Sequence, residues 1–153
     1  MATMLPHPTE LIPHRPPMLF LDEITALNPS KSAKGLWTPG EGEFEGHMPG
    51  RPVLPGVKTV ESIVQTALCA VMADRCGDLP LFINDSAKWQ LPILPGDTLE
   101  NVVSINEITN DGKVKGIGHA NIFDKTACMT SFVFIMVPPE KFDEILSRPS
   151  LAE

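Results

Sequence analysis

Between Gly46 and Gly56 the chain places Gly46, Pro49, Gly50, Pro52, Pro55 and Gly56, and immediately afterwards its pattern turns helical. Proline removes a backbone donor and glycine loosens the chain, so this stretch is excluded from a helix interior and from a central strand. From Val57 onward, apolar residues recur at Val60, Val64, Ala67, Leu68 and Val71, the spacing of one helical face. The spacing predicts a helix from Val57 to near Arg75, with Gly77 as its C-terminal cap. A stiff loop feeding a long helix is the frame to which the rest of the chain has to fit.

Residues able to do chemistry sit on both parts of that frame. His47 lies in the loop, where the surrounding prolines and glycines fix the backbone, and a fixed loop holds a base in position. On the helical wheel Glu61 falls in the apolar stripe, with Gln65 one turn further on. Two readings of Glu61 stand side by side. It forms a surface pair with Lys58, worth roughly a few tenths of a kcal/mol, or it turns inward and must find a partner or hold a proton, as a general acid does. Gly56 opens the helix, where free N–H groups at the positive dipole end suit an oxyanion.

The run Gly46-His47-Met48-Pro49-Gly50-Arg51-Pro52-Val53-Leu54-Pro55-Gly56-Val57, followed by Glu61 and Gln65, resembles the signature of the 3-hydroxyacyl-acyl carrier protein dehydratases of fatty-acid synthesis, the Z-type family, with relatives in polyketide pathways. Leu11 to Asp22 is similar to that family's N-terminal stretch, and Ala87-Lys88-Trp89 and Pro92 to Asp97 to its later strand and turn. The resemblance implies that His47 is the catalytic histidine, Glu61 the catalytic carboxylate and Gly56 the backbone donor, with Gln65 and Val57 positioning substrate. It implies a hot-dog fold in which a curved sheet wraps the helix, and a homodimer or trimer of dimers whose sites each take the histidine from one subunit and the carboxylate from the other. No metal or redox cofactor is expected, because phosphopantetheine arrives as part of the substrate.

Charge bears on the partner. A net charge of −7 argues against nucleic acid, which wants a basic face. Carrier proteins are acidic, and the candidate basic contacts are Arg15, Arg51, Lys58 and Lys88. Lys58 stands where the family is usually aliphatic, and Gln90-Leu91 where it usually places further basic residues. These departures leave open a specialised carrier, a partner subunit or a coenzyme A thioester. The longest apolar runs fall far short of a membrane span and nothing at the N-terminus reads as a cleavable signal, so the expected location is cytoplasmic, with no membrane partner. Cys69, Cys76 and Cys128 lack metal-type spacing; Cys69 and Cys76 read as helix-packing residues.

Taken in order, residues 1–16 read as a Pro-rich strap, in which His14 reads as a polar surface contact beside Arg15, with a contact to the site as the alternative. Met18 to Leu21 reads as a buried strand continuing toward Leu27, with a turn at Asn28-Pro29-Ser30 and a short strand from Lys34 to Thr38. After the helix come Leu81 to Asn84, Ala87 to Leu91, and Leu99 to Ile108. Asn110-Asp111-Gly112 is a hairpin signal before Lys113 to Phe123, with His119 a structural or surface residue there. Thr126 to Val137, apolar on both faces, reads as a central strand or one covered by an interface, and Lys141 to Leu146 as a helical turn before a mobile tail. One long helix in an antiparallel meander is an α+β layer architecture, a single domain over residues 1–153.

The reaction implied is loss of water from a 3-hydroxyacyl thioester to give a trans-2-enoyl thioester. Three rivals share the frame: a thioesterase, a dehydratase that also isomerises the double bond, and a non-catalytic subunit of a heteromeric enzyme.

Overall fold

The computed structural model describes residues 4–151; residues 1–3 and 152–153, the outer ends of the expected strap and tail, lie outside it. A short helix α1 (Pro8–Leu11) opens the described chain, capped by the His7 side chain and by Glu10 in a reciprocal capping box. Strands β1 (Glu23–Asn28) and β2 (Ser32–Trp37) follow, then a 3₁₀ turn (Glu41–Phe44), the Gly/Pro loop, and helix α2 (Gly56–Met72). The second half is a run of strands, β3 (Leu79–Trp89), β4 (Leu99–Ile108), β5 (Lys113–Ile122) and β6 (Lys125–Val137), closed by helix α3 (Pro139–Leu146). Neighbouring strands are antiparallel throughout one six-stranded sheet of order β1-β2-β4-β5-β6-β3.

The sheet packs α2 along its length, and α2 touches every strand. Ile63, Val64, Ala67, Leu68 and Val71 on the helix are buried with Leu99, Val103, Val114, Phe132 and Phe134 of the sheet. Gly118 admits the helix at close range: a β-carbon there would come within 2.5 Å of Ile63 Cγ2 and 2.8 Å of Val103 Cγ1. A helix wrapped by an antiparallel sheet is the α+β hot-dog arrangement that the resemblance implied. β6 lies between β5 and β3 and is central, as its two-sided apolar pattern predicts.

Several local expectations are corrected. Residues 18–21 are not a strand, although Phe20 and Leu21 are buried. The helix ends at Met72, before the expected Arg75 and well short of Gly77. Its last carbonyls are shared out: Cys69 and Val71 accept from the N–H groups of residues 73–75 just beyond the helix, and the Ala70 carbonyl accepts from the Ser30 N–H in the β1–β2 turn at 2.8 Å. Leu81 to Asn84 and Ala87 to Leu91 belong largely to one strand, β3, with a register shift between Asn84 and Ser86. Val57 is not part of the buried stripe; it is 72% exposed. Cys76 is exposed rather than packed, while Cys69 and Cys128 are buried. Residues 8–11, expected as plain strap, are helical.

Candidate active site

His47 sits between two left-handed residues, Gly46 (φ 79°) and Met48 (φ 52°), with Gly50 (φ 81°) just beyond. Met48 adopts that conformation without glycine's freedom, so the surrounding turn must impose it. The His47 ring is half-buried, and its Nδ1–H donates to the Val53 carbonyl at 2.8 Å across the loop. That bond fixes both the ring plane and the tautomer. It leaves Nε2 with a free lone pair, the form a general base needs.

Gly56 opens α2 with no capping side chain, since its N-cap is Pro55. The first N–H groups of a helix have no acceptor within it, so Gly56 presents an uncapped donor at the positive dipole end. The Gly56 carbonyl accepts the indole N–H of Trp89 at 3.0 Å. A β-carbon at this position would come within 2.6 Å of the indole nitrogen. Gly56, Val57, Thr59, Trp89, Leu91 and Pro92 line a largely apolar cleft of about 530 Å³ that begins at this helix end. Sequence reasoning did not give Trp89 a role; its only signal was its place between Lys88 and the Pro92 turn.

Glu61 is one and a half helical turns further on, with its side chain 27% exposed. Its partner is not Lys58. The Lys58 ammonium bonds to the carboxylate and the carbonyl of Glu43, both at 2.9 Å, and lies 6.0 Å from the centre of the Phe20 ring. The Glu61 carboxyl instead accepts at Oε1 from the Gln65 side-chain amide at 3.0 Å.

Gln65 is fully buried and uses both ends of its amide. Its Nε2 also donates to the Met18 carbonyl, and its Oε1 accepts from the Phe20 N–H, both at 2.8 Å. One side chain thus ties the N-terminal segment to the helix and steadies the carboxyl group. Ser62 adds a second tie, its hydroxyl donating to the Phe20 carbonyl at 2.6 Å while accepting from Asn101 at 2.7 Å. His14, expected at the surface, is brought to this point as well: its Nε2 stands 3.7 Å from Glu61 Oε1.

The other candidate cations differ in freedom. Arg15 spends its guanidinium on the carbonyls of Thr9, Ile12 and His14, at 2.9, 2.9 and 2.7 Å. Arg51 and Lys88 are exposed. His119 lies half-buried in β5, opposite Val102 and Met129 of the neighbouring strands. Burial pushes the Cys69 thiol up to about 12 and the Cys128 thiol up to about 11, which keeps both protonated and poorly nucleophilic at neutral pH. Within one chain, among the described residues, no hydrogen bond or ion pair joins His47 to Glu61; each is held by its own partners.

The comparisons with known proteins bear on this arrangement. Residues 12–132 match the family model described as FabA-like domain. The chain is 37% identical to the 3-hydroxyacyl-[acyl-carrier-protein] dehydratase FabZ of Chloroflexus aggregans, over 86% of this chain and 94% of that protein. It is 39% identical to the protein of the same name from a Jannaschia species, over 84% of this chain and 85% of the other. Among solved structures, the dehydratase heterocomplex ApeI:P from Xenorhabdus doucetiae superposes with a TM-score of 0.80, covering 95% of this chain and 100% of that one. Its 12% identity makes this a likeness of fold alone.

Proposed function

Because the chain belongs to the FabA-like domain family, we propose that it removes water from a 3-hydroxyacyl thioester carried on acyl carrier protein, giving the trans-2-enoyl thioester in fatty-acid synthesis. The observation that carries the assignment of roles is the His47–Val53 bond, which leaves Nε2 free to accept a proton. His47 takes the proton from the carbon between the carbonyl and the hydroxyl-bearing carbon. Glu61 gives its proton to the departing hydroxyl, which leaves as water. The Gly56 N–H stabilises the charge that gathers on the thioester oxygen. The proton gained by the base and the proton lost by the acid balance, so turnover needs only their exchange with solvent. Protein groups and the incoming phosphopantetheine arm suffice, without a metal or redox cofactor.

Among the described residues no bond within a chain joins His47 to Glu61, and the resemblance to the dehydratases supports a second copy supplying the other half of each site. β3 is the last strand of the sheet, an unpaired edge that exposes Phe82, Ile83 and Trp89. An apolar edge strand invites pairing with another chain, and an isologous contact places two sites across one dyad. Homodimerisation through β3 follows, and a trimer of dimers is a further step of the same reading. The apolar cleft at Gly56, with Val57 on its rim, receives the acyl chain. Exposed Arg51 and Lys88 meet the acidic carrier, with Arg15 holding the adjoining segment. The reaction is placed in the cytoplasm.

Purified protein incubated with 3-hydroxyacyl thioesters of carrier protein and of coenzyme A, with products read by mass spectrometry, tests this. Dehydration to the trans-2-enoyl thioester is expected. A free acid would indicate a thioesterase, a cis-3-enoyl product an added isomerase activity, and no product a subunit that needs a partner.

A further inference from the structure

His14 plays no part in the reaction as written, yet the fold holds it with care. On its own segment, Arg15 binds the carbonyls of Thr9, Ile12 and His14 itself and stiffens the turn leading to it. On the far side, Gln65 and Ser62 clamp Met18 and Phe20. The imidazole between these ties has 19% of its side chain exposed, and Nε2 stands 3.7 Å from Glu61 Oε1. Its other nitrogen, Nδ1, is buried with no hydrogen-bond partner among the described residues.

These facts restrict the state of the ring. An imidazolium, or the Nδ1–H tautomer, would bury an N–H with no acceptor, which disfavours both. The Nε2–H tautomer leaves only a lone pair unmatched at Nδ1 and turns its one N–H toward the carboxyl group. The charged groups that reach the ring are Glu61, which favours protonation, and Arg15, which opposes it. Gln65 already donates to the same oxygen, Oε1, at 3.0 Å. Both nitrogens therefore face one oxygen, and among the described residues no hydrogen bond reaches the other.

We propose that His14 is a positioning residue for Glu61: as the neutral Nε2–H tautomer it acts with Gln65 on Oε1, so that Oε2 is the oxygen that carries and delivers the proton. The separation of 3.7 Å is too long for a hydrogen bond and closes with a small rotation of either side chain when substrate fills the site. This inference rests on Glu61 being the proton donor.

Nitrogen-15 NMR of histidine-labelled unaltered protein reads the tautomer directly. It should show His14 as Nε2–H at neutral pH; an Nδ1–H or imidazolium signal overturns the proposal whatever the variants do. In kinetics, His14→Phe keeps an aromatic ring, somewhat larger, and removes the N–H. Its kcat should fall roughly 10- to 100-fold with little change in KM. The alkaline limb of its pH–kcat profile should move upward, because a donor favouring the carboxylate has gone. His14→Gln, which retains an N–H, should keep kcat within about threefold and restore the limb. A merely structural role would lower activity without moving the limb. A His14→Phe enzyme with the native limb, or a His14→Gln enzyme equally impaired, contradicts the proposal. Full turnover by Glu61→Gln would instead remove the underlying reading, while the tautomer measurement would still judge the geometry of His14.

Discussion

Trp89 donates its indole N–H to the carbonyl of Gly56 at 3.0 Å, and its ring occupies the space that a β-carbon on residue 56 would need. The edge strand and the helix start are therefore locked to each other at the donor assigned to the thioester oxygen. Gly56→Ala should displace the indole, lose that bond at a cost of about 1 kcal/mol, and lower kcat. Trp89 fluorescence reports the displacement, because Trp37, the other tryptophan, is buried against Phe20 and gives a constant background. In a Trp89→Ala background the same substitution should cost little, and a double-mutant cycle measures the difference.

Gln65→Leu preserves volume approximately and removes both ends of a buried clamp. The Phe20 N–H and the Met18 carbonyl would lose their partners together. The expected destabilisation is about 2–4 kcal/mol in denaturant unfolding, with kcat reduced further because Glu61 loses its bond. A loss under 1 kcal/mol would mean that the N-terminal segment is held by other contacts.

The same clamp explains what could be read from the chain and what could not. The helix, the Asn110-Asp111-Gly112 hairpin and the central strand were legible because each depends on local spacing or turn chemistry. Residues 18–21 were not. Their apolar run suggests a strand, but their backbone groups bond to Gln65 and Ser62 on α2 instead of to a neighbouring strand. Partners 42 to 47 residues away leave no mark on a local pattern. His14 was undervalued for the same reason, and so was the end of α2, where the Ser30 turn takes up the Ala70 carbonyl. The loop histidine and helix carboxylate were legible as a pair of chemical groups; their fixed partners, Val53, Gln65 and His14, came only with the fold.

Dimerisation through β3 predicts that Ile83→Lys, a charge on the apolar edge, yields a monomer with native far-ultraviolet circular dichroism and little turnover. Sedimentation at the dimer mass with unchanged activity would show that β3 is not the interface.

Stability should depend on His14 in mild acid. Burial lowers its affinity for a proton below the ordinary value of 6.5, more than the nearby Glu61 raises it. The unfolded chain therefore protonates first as pH falls through 6.5, and stability declines below that value while staying level above it. His14→Gln should flatten this part of the pH–stability curve, as measured by thermal unfolding across the range.

The central claim, one site built from His47 of one chain and Glu61 of another, is tested most directly by subunit mixing. His47→Ala and Glu61→Gln proteins should each fold and lose roughly 100-fold or more of their turnover. Co-expressed in equal amounts, they form hybrid dimers in which one site unites the intact histidine with the intact carboxylate. Random pairing makes half of the dimers hybrid with one working site in two, so the mixture should recover roughly a quarter of native activity. A mixture as inactive as its components, with hybrid dimers present, would contradict the shared site.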